Sequence, residues 1–333
     1  MQSLLLVAQN GKNEVTIALT GDIMMGTTYP SVQLPTREGR QLFIHAEPVL
    51  KRADLAAGNL EGTLCDSGST RKKPGKASFA FRTPTSYVER LKEAGYDFLS
   101  LANNHSYDFG QIGVHSTVNS LRTQGIAFAG IKEYPASVIV KRNGVRYGLC
   151  AFGHNAYTYR HQDLESVRRI ITDLVNNSDV VIVSFHGGAE GVAHTRLPYG
   201  KETFYTEDRG SLRDFAHFCI DAGADVVFGH GPHVLRAVEL YKEHFIAYSL
   251  GNFCTPFGMS LSGVLSYAPI LELTLTTDGR FRSGQIHSFI QRRGEGPQPD
   301  FQHRCAKEMR RLTQLDVPDT PLIITDFGLI KHK

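Results

Sequence analysis

Five apolar, strand-like segments of the chain each end in side chains of types that bind metal ions. The segments cover residues 16–22, 55–61, 98–105, 180–186 and 225–233. In α/β folds, ligands bind at the carboxyl ends of the strands, so these side chains are expected to converge on one site. The candidate residues are Asp22, Glu61, Asn104, His105, His186, His230 and His233. A mixed set of carboxylate, amide and imidazole groups suits one or two divalent transition metal ions, Mn, Fe or Zn.

The first three of these motifs differ in how strongly they indicate function. Taken alone, Asp22 is more typical of a turn or a helix cap, and Glu61 of a solvated loop. The run Asn103, Asn104 and His105 is more telling. Polar side chains directly after an apolar strand are poor core material, because each needs a buried partner. This run therefore favours a functional site over a structural role.

The remaining histidines lie in settings that favour ligand binding. His186 ends a strongly apolar strand and is followed by two glycines, which let the backbone approach a ligand. His230 and His233 lie in a Gly-His-Gly-Pro-His loop, where both rings can face one point. His154 also follows a strand, and its sequence fits a site residue and a core residue equally well. The other histidines are interpreted as surface or satisfied core residues.

The elements that must position these residues follow from hydrophobic periodicity. Strand patterns occur at 15–20, directly before Gly58, and at 97–102, 126–130, 147–152, 179–185, 225–229, 244–250, 269–276 and 281–291. Helical patterns occur at 47–53, 83–96, 110–124, 165–176, 208–222 and 300–314. The early alternation of strands and helices predicts an α/β core, and the later hairpins predict a second, partly antiparallel sheet.

The composition excludes several classes of function. Of the 333 residues, 41% are hydrophobic and 21% are charged, which is typical of a soluble globular protein. The formal net charge is only +3, so no nucleic-acid partner is expected. No apolar run approaches the ~20 residues of a membrane span. The apolar start, MQSLLLVAQ, is too short for a secretory core, and the five dispersed cysteines indicate reduced thiols, so a cytoplasmic location is expected unless a signal has been removed.

A polar loop at residues 66–77 carries Arg71, Lys72, Lys73 and Lys76. The simpler interpretation of these charges is a solvated loop. The alternative is a basic lip over the site that attracts an anionic substrate, either a small molecule or a polymer. No G-x-S-x-G frame is present, which argues against a serine hydrolase.

The chain resembles the CapA-type family of bacterial capsule synthesis, also called the poly-γ-glutamate biosynthesis family, within the calcineurin-like metallophosphoesterase superfamily. The matching pieces are TGDIMMG (20–26), GNLEG (58–62), SLANNHSYDFG (100–110), SFHGGAEG (184–191) and GHGPHVLRAVELYKEHFIAYSLGNF (229–253). The resemblance implies an α/β fold, a four-layer α/β/β/α sandwich of metallophosphoesterase type. We expect that domain at residues 1–292, followed by a C-terminal extension at 293–333 that packs on it.

The resemblance also implies roles for the residues of the first three motifs. Asp22 matches the acid of the first superfamily motif. Glu61, or less readily Asn59, stands where a carboxylate that bridges two metals is usual. Asn104 matches the amide ligand, and His105 matches the neighbouring histidine that acts on the leaving group. His105 and Asp22 are thus the catalytic candidates.

The histidines of the later motifs match metal ligands of the superfamily. His186 matches the next histidine ligand, and His230 and His233 match the final pair. The chain also departs from the superfamily pattern. Met24 stands where a histidine is common after the first acid, and Gly231 where another histidine is common between the final two. These departures leave the metal count at one or two and indicate a more open pocket.

Two functions follow from this resemblance. The first is a metal-dependent hydrolase, with a phosphate ester as the default substrate and the amide bond of a γ-linked glutamyl polymer as a second possibility. Asp108 and Glu190 are expected to orient imidazoles, and Tyr248 and Asn252 to line the rim of the pocket. The second function is a non-enzymatic accessory protein of capsule polymer assembly or export, whose metal site is structural or vestigial. Met24 favours this alternative.

Overall fold

The computed structural model describes residues 14–70, 72 and 79–333. The apolar N-terminal stretch and residues 71 and 73–78, in and next to the basic loop, lie outside the described residues.

The strands are β1 (Glu14–Ile23), β2 (Leu55–Leu60), β3 (Thr63–Leu64), β4 (Arg82–Thr83), β5 (Phe98–Ser100), β6 (Ala127–Ala129), β7 (Ser137–Arg142), β8 (Val145–Phe152), β9 (Val180–His186), β10 (Glu202–Phe204), β11 (Glu207–Gly210), β12 (Val226–His230), β13 (Val238–Tyr241), β14 (His244–Ala247), β15 (Asn252–Cys254), β16 (Ile270–Thr276), β17 (Phe281–His287), β18 (Phe289–Ile290), β19 (Gln298–Pro299), β20 (Leu322–Ile324) and β21 (Leu329–His332). The α-helices are α1 (Glu47–Arg52), α2 (Val88–Ala94), α3 (Gly110–Thr123), α4 (Leu164–Asn177), α5 (Leu212–Asp221) and α6 (Arg304–Asp316). Short 3-10 helices are at Thr36–Gly39, Thr85–Tyr87, Val192–His194 and Gly263–Ser266.

Local sequence signals explain the clearest of these helices. In α4, the Asp163 side chain accepts a hydrogen bond from the Ser166 amide, which caps the helix N-terminus. The buried face of α4 carries Val167, Ile171 and Leu174, at the spacing of one helical stripe. Helix α2 ends at Gly95, whose φ of 102° is readily adopted only by glycine.

Most strands belong to two large sheets. The first sheet has the order β20-β21-β17-β16-β1-β2-β5-β6, and β15 pairs with the end of β1. Its β1, β2, β5 and β6 run parallel, whereas β16 pairs antiparallel with β1. The second sheet has the order β13-β14-β12-β9-β8-β7, with β8, β9, β12 and β14 parallel. The parallel strands β1, β2, β5, β9 and β12 are those whose carboxyl ends lead into the candidate residues.

The apolar faces of the two sheets define four layers. One buried cluster contains Ile17 and Leu19 of the first sheet together with Ile182 and Phe228 of the second, so the sheets pack face to face. A second cluster covers the outer face of the first sheet with α1, α2 and α3, and a third covers the outer face of the second sheet with α4 and α5. The four-layer α/β/β/α sandwich of metallophosphoesterase type predicted from the sequence is therefore confirmed.

The C-terminal segment closes one edge of the space between the sheets. Cys305, Met309 and Leu312 of α6 are fully buried in the cluster between the two sheets. Strand β21 pairs with β17 and so extends the first sheet. The boundary that the sequence suggests between residues 292 and 293 stays a prediction.

The structure corrects several sequence-based assignments. The late hairpin, β16 and β17, joins the first sheet beside β1 and does not build the second sheet. The expected helix at 208–222 starts only at Leu212, because Glu207–Gly210 pairs with β10 as strand β11. The expected strand at 281–291 is interrupted at Ser288, and that at 244–250 ends at Ala247. The hairpin is placed by its pairing with the distant strand β1, and β11 is fixed by its pairing with the neighbouring strand β10; local periodicity encodes neither pairing.

One ion cluster beside β1 gives a prediction about stability and pH. Glu272 of β16 accepts hydrogen bonds from Arg52 at 3.0 and 2.5 Å and lies 2.6 Å from His287 Nε2. The hydrogen bond from His287 and the guanidinium of Arg52 lower the pKa of Glu272 to about 2. A lowered folded-state pKa contributes stability that is present above the unfolded pKa of 4.5 and is lost as the pH falls toward 2.

We therefore expect Glu272→Gln to lower the free energy of unfolding by about 1–2 kcal/mol at pH 7, after allowance for solvent screening of the exposed Arg52. The difference from the unsubstituted protein should shrink as the pH falls below 4.5. Urea unfolding at pH 7 and pH 3 measures this difference, because most of the contribution is lost only between the two pKa values. The exposed Glu295, changed to Gln, is the control and should show no pH-dependent difference. A loss of unfolding free energy in Glu272→Gln that is the same at both pH values would contradict the lowered pKa of Glu272 in the folded protein.

Candidate metal centre

Asp22 lies at the carboxyl end of β1, where it contacts two histidines. Its side chain is fully buried. Asp22 Oδ1 accepts a hydrogen bond of 2.9 Å from Asn59 Nδ2 and lies 3.2 Å from His230 Nδ1. Asp22 Oδ2 lies 3.0 Å from His233 Nδ1. One carboxylate therefore contacts residues from two distant segments of the chain, the end of β2 and the end of β12 with the loop after it.

Glu61 faces the same histidine cluster from the end of β2. It is fully buried, and its Oε1 lies 3.4 Å from His186 Nε2 and 3.6 Å from His233 Nε2. Donor atoms of Asp22, Glu61 and His233 all lie within 4.8 Å of one another. Three potential ligands this close together can hold a metal ion.

The histidines reach this point because neighbouring strands of the second sheet end together. His186 and His230 are the last residues of β9 and β12 and are opposite each other in the parallel register. The Gly187 amide donates to the His230 carbonyl oxygen, which ties the two strand ends together. His233 has a left-handed backbone with φ of 58°, so the chain turns sharply after Gly231 and points this ring back at Asp22.

Several buried donor atoms in the cluster have no hydrogen-bond partner among residues 14–70, 72 and 79–333. They are Asn104 Oδ1, His186 Nδ1 and both ring nitrogens of His230. His230 Nδ1 lies close to Asp22 but outside hydrogen-bonding geometry. Buried polar atoms without partners are rare, because each costs its desolvation energy. Nitrogen and oxygen donors of this kind fit a divalent transition metal ion, so the residues present suit the metal that the sequence predicts.

The electrostatics of the cluster favour a positive charge between the carboxylates. Burial raises the pKa of Asp22, but the close His230 and His233 rings outweigh it and hold this pKa well below its usual range. Burial and the neighbouring Asp22 charge raise the pKa of Glu61. Burial lowers the pKa of His233, but Glu61 and Asp22 outweigh it and raise the value to about 10. A cation is thus stabilised where these three side chains meet.

His105 lies beside this cluster in a separate hydrogen-bond arrangement. Its Nδ1 lies 2.9 Å from Asp108 Oδ2, and Asp108 also pairs with Lys72 at 2.5 Å and accepts the Phe81 amide at 2.7 Å. Lys72 Nζ lies 3.1 Å from the same His105 Nδ1, so this nitrogen is engaged by Asp108 and Lys72, and Nε2 is the nitrogen that can meet a substrate. Burial lowers the pKa of His105, although the Asp108 charge opposes this.

The structure brings five of the predicted site residues into direct contact: Asp22, Glu61, His186, His230 and His233. Asn104 and His105 line an adjacent cleft that also contains Glu190. Glu190 Oε2 lies 4.0 Å from His233 Nε2, so the cleft opens beside the cluster. The roles assigned to these residues from the sequence stay predictions.

Sequence reasoning missed the hydrogen bonds that the side-chain amides of Asn59 and Asn103 form beside the site. Asn59 donates to Asp22, and its Oδ1 accepts a hydrogen bond from Asn103 Nδ2 at 3.0 Å. Asn103 Oδ1 in turn accepts from the His105 amide at 3.1 Å. This chain of hydrogen bonds links Asp22 to the His105 loop. The motif GNLEG contained the signal, because an amide between two strand-end acids can donate to either.

Two rim assignments differ in outcome. Asn252 Oδ1 lies 3.1 Å from His233 Nδ1, which places Asn252 at the site. The prediction that Tyr248 lines the rim is wrong, because this residue is fully buried and its hydroxyl donates to Glu239.

His154 is buried with its ring 5.8 Å from that of His186, and burial lowers the pKa of His154 to about 4. His154 is therefore a neutral neighbour of His186.

The four-layer α/β/β/α fold brings a buried cluster of carboxylates and imidazoles to the carboxyl ends of its parallel strands. A sequence model described as "Bacterial capsule synthesis protein PGA_cap" matches residues 16–256. The chain belongs to this family of bacterial capsule synthesis proteins. The resemblance inferred from the sequence is thereby confirmed.

Curated relatives agree with this family. The "Capsule biosynthesis protein CapA" of Bacillus anthracis is 28% identical over 266 residues, covering 74% of this chain and 61% of the relative. A "Probable polyglutamine synthesis accessory protein" of Mycobacterium tuberculosis is 27% identical over 267 residues, covering 71% of this chain and 64% of the relative. The chain therefore spans about three fifths of the length of the curated relatives it matches.

A solved structure supports the fold. A hypothetical protein from Thermus thermophilus superposes with a TM-score of 0.51 at 16% identity, covering 83% of this chain and 99% of that chain.

Among the residues that the structure describes, no helix has the length and apolar character needed to cross a membrane.

Proposed function

We propose that this protein is a metal-dependent phosphoester hydrolase that acts in capsule or poly-glutamate polymer metabolism. The observation that carries the proposal is the fully buried set of Asp22, Glu61, His186 and His230 with His233 at its open side. Buried nitrogen and oxygen donors without protein partners support a metal in this set. The substrate class we infer is an anionic molecule, either a small phosphate ester or a segment of polymer.

The proposed metal ligands are Asp22, Glu61, His186, His230 and His233, with Asn104 completing the set from the cleft side. When bound, a divalent transition metal supplies Lewis-acid polarisation of a phosphoryl oxygen. Asn59 fixes the orientation of the Asp22 carboxylate through its hydrogen bond. This kind of support from outside the ligand set is what holds a metal ligand in place.

His105 is the proposed proton donor to the leaving group. Asp108 holds the ring by accepting from Nδ1, and Lys72 compensates the Asp108 charge at 2.5 Å. With Nδ1 engaged, the imidazolium form of His105 gives the proton on Nε2 to the departing oxygen and is left as the neutral ring, and the Asp108 charge favours the imidazolium before transfer. The Asn103 side chain fixes the backbone of this loop by accepting from the His105 amide.

A second candidate function is an accessory role without catalysis. The printed name of the Mycobacterium tuberculosis relative describes an accessory protein. Met24, which stands where the superfamily commonly has a histidine, is buried and offers no ligand nitrogen. In this function the metal centre would stabilise the fold and bind polymer without cleaving it.

Activity and metal content measured on one preparation test the proposal. The full chain, reconstituted with manganese, is expected to hydrolyse an aryl phosphate and to retain about one metal equivalent or more. His230→Ala removes an imidazole that a methyl group cannot replace, so it should lower both metal content and turnover. The exposed His45, changed to Ala, is the control and should leave both unchanged.

Two results would change the conclusion. Metal retention without hydrolysis would favour the accessory function. Unchanged metal content in His230→Ala would remove this residue from the ligand set.

A further inference from the structure

An aromatic-walled cleft lies directly beside His105. Its volume is about 510 Å³, within the range of pockets that enclose a small organic ligand. Tyr107, Tyr157, Phe204 and Tyr205 line it together with Asn155 and Arg209. Under the proposed function, His105 faces the leaving group, so the cleft is where the leaving-group side of the substrate lies.

One wall of the cleft is a rigid pair of tyrosines. The rings of Tyr107 and Tyr157 stack with centroids 4.8 Å apart and planes 26° apart. The Tyr157 hydroxyl donates to the Asn103 carbonyl oxygen at 3.1 Å, and the Tyr107 hydroxyl donates to Glu133 at 2.8 Å. Because both hydroxyls are held, the rings are oriented before a ligand binds, which lowers the entropic cost of binding.

A second aromatic pair is carried by the tip of the β10–β11 hairpin. Tyr205 has a left-handed backbone with φ of 51°, which is unfavourable for a bulky residue, and its side chain is 75% exposed. Its ring lies 4.6 Å from that of Phe204, over which the Arg209 guanidinium lies at 5.3 Å. The positive φ belongs to the two-residue turn of the hairpin, and this turn places the exposed Tyr205 ring at the cleft.

The charges of the cleft compensate one another within the part of the chain that the structure describes. Arg209 forms ion pairs of 2.8 Å with both Glu190 and Glu207, and Lys72 pairs with Asp108 at 2.5 Å. A chain of carboxylates would gain little from cations that are already paired. The buried Asn155 Oδ1, which has no partner, offers an acceptor to an N–H or O–H group.

We propose that this cleft binds a flat, uncharged aromatic ring, such as a nucleobase or an aryl group, on the leaving-group side of the substrate. Tyr205 covers one face of the ring and the Tyr107–Tyr157 pair forms the opposing wall. Stacking on aromatic side chains supplies the affinity, and Asn155 accepts from the edge of the ring. The proposal rests on the proposed function for the identity of this side of the substrate, but the binding of the ring can be measured without catalysis.

Calorimetric titration of the full chain with adenosine tests the proposal, because adenosine carries the ring without a phosphate. We expect Tyr205→Ala to weaken adenosine binding roughly tenfold, as expected for the loss of one stacking partner. Tyr205→Phe keeps the ring and should keep the affinity. Tyr199→Ala removes a tyrosine that is 81% exposed and lies outside the cleft, so it should have no effect.

Two further probes separate the alternatives. Methyl α-D-glucopyranoside offers a ring that is not aromatic, and γ-glutamylglutamate offers an acyclic anion. Both should bind more weakly than adenosine, and neither should depend on Tyr205. Tighter binding of either probe, or adenosine binding that is absent or insensitive to Tyr205→Ala, would overturn the proposal. Hydrolysis of an aryl phosphate without adenosine binding would overturn the ring-binding proposal and leave the proposed function standing. Adenosine binding that depends on Tyr205, without hydrolysis, would support the ring-binding proposal and contradict the proposed function.

Discussion

Arg236→Met is expected to lower the free energy of unfolding by about 3–5 kcal/mol, because it leaves the buried Glu202 carboxylate without its partner. Arg236 is fully buried, and its two terminal nitrogens donate to the two Glu202 oxygens at 2.7 Å each. Its Nε donates to the His194 carbonyl oxygen at 3.0 Å, and Glu202 accepts the Ala189 amide at 3.0 Å. The pair therefore ties β10 and the loop that follows His186 to the second sheet.

Urea unfolding measures the loss, and two further variants separate its causes. The double variant Arg236→Met with Glu202→Leu removes both charges, so it should recover part of the stability. Arg40→Met breaks an exposed ion pair with Glu38 and should change stability by no more than about 0.5 kcal/mol. A loss in Arg236→Met no larger than that in Arg40→Met would show that the buried pair does not hold this loop. The loop also carries Glu190 beside His233, so metal affinity should fall together with stability.

The parts of the fold that the sequence predicts well are those in which burial alone decides the structure. Strand β9 is a continuous apolar run because both of its faces are buried. Helix α4 is clear from the sequence because its apolar stripe and its Asp163 cap agree. The convergence of Asp22 and His230 follows from the same logic, since both end buried parallel strands.

The parts that could not be predicted depend on strand pairings that local periodicity does not show. Strand β13, Val238–Tyr241, is too short to show a period and is defined by its pairing with β14. Strand β11 begins a segment that looks helical, and it is a strand because it pairs with β10 in a hairpin anchored by the Glu202–Arg236 ion pair. Strand pairing of this kind overrides local propensity.

The limits of sequence reasoning are the same at the site. Residue types could identify potential ligands, because carboxylates and imidazoles after apolar strands are unusual core material. Residue types could not show that Asn59 donates to Asp22, or that Tyr248 turns away from the site into the core. Both facts depend on side-chain direction after a strand ends, and at Asp22 an irregularity of the β1–β2 register between Leu19 and Asp22 alters that direction.

His105→Ala is expected to reduce turnover by about 10²–10⁴-fold on an alkyl phosphate while leaving metal content and folding nearly unchanged. The ring is held by Asp108 at 2.9 Å, and no ion pair joins His105 to Asp22 or Glu61 in the described part of the chain. Its loss therefore removes a proton donor and leaves the proposed ligands in place. The leaving group of a nitrophenyl phosphate needs little protonation. On this substrate the loss of turnover caused by His105→Ala should therefore be much smaller.

The comparison between the two substrates is what separates proton donation from a structural role. Damage to the site would slow both substrates equally, because both depend on the same phosphoryl position. His115→Ala is a matched control, since this histidine is exposed on α3 and should leave both rates unchanged. Asp108→Asn should reproduce part of the His105→Ala pattern, because an amide holds the imidazole less firmly than a carboxylate does. Equal losses on both substrates would contradict proton donation by His105, and full activity of His105→Ala on both would favour the accessory function.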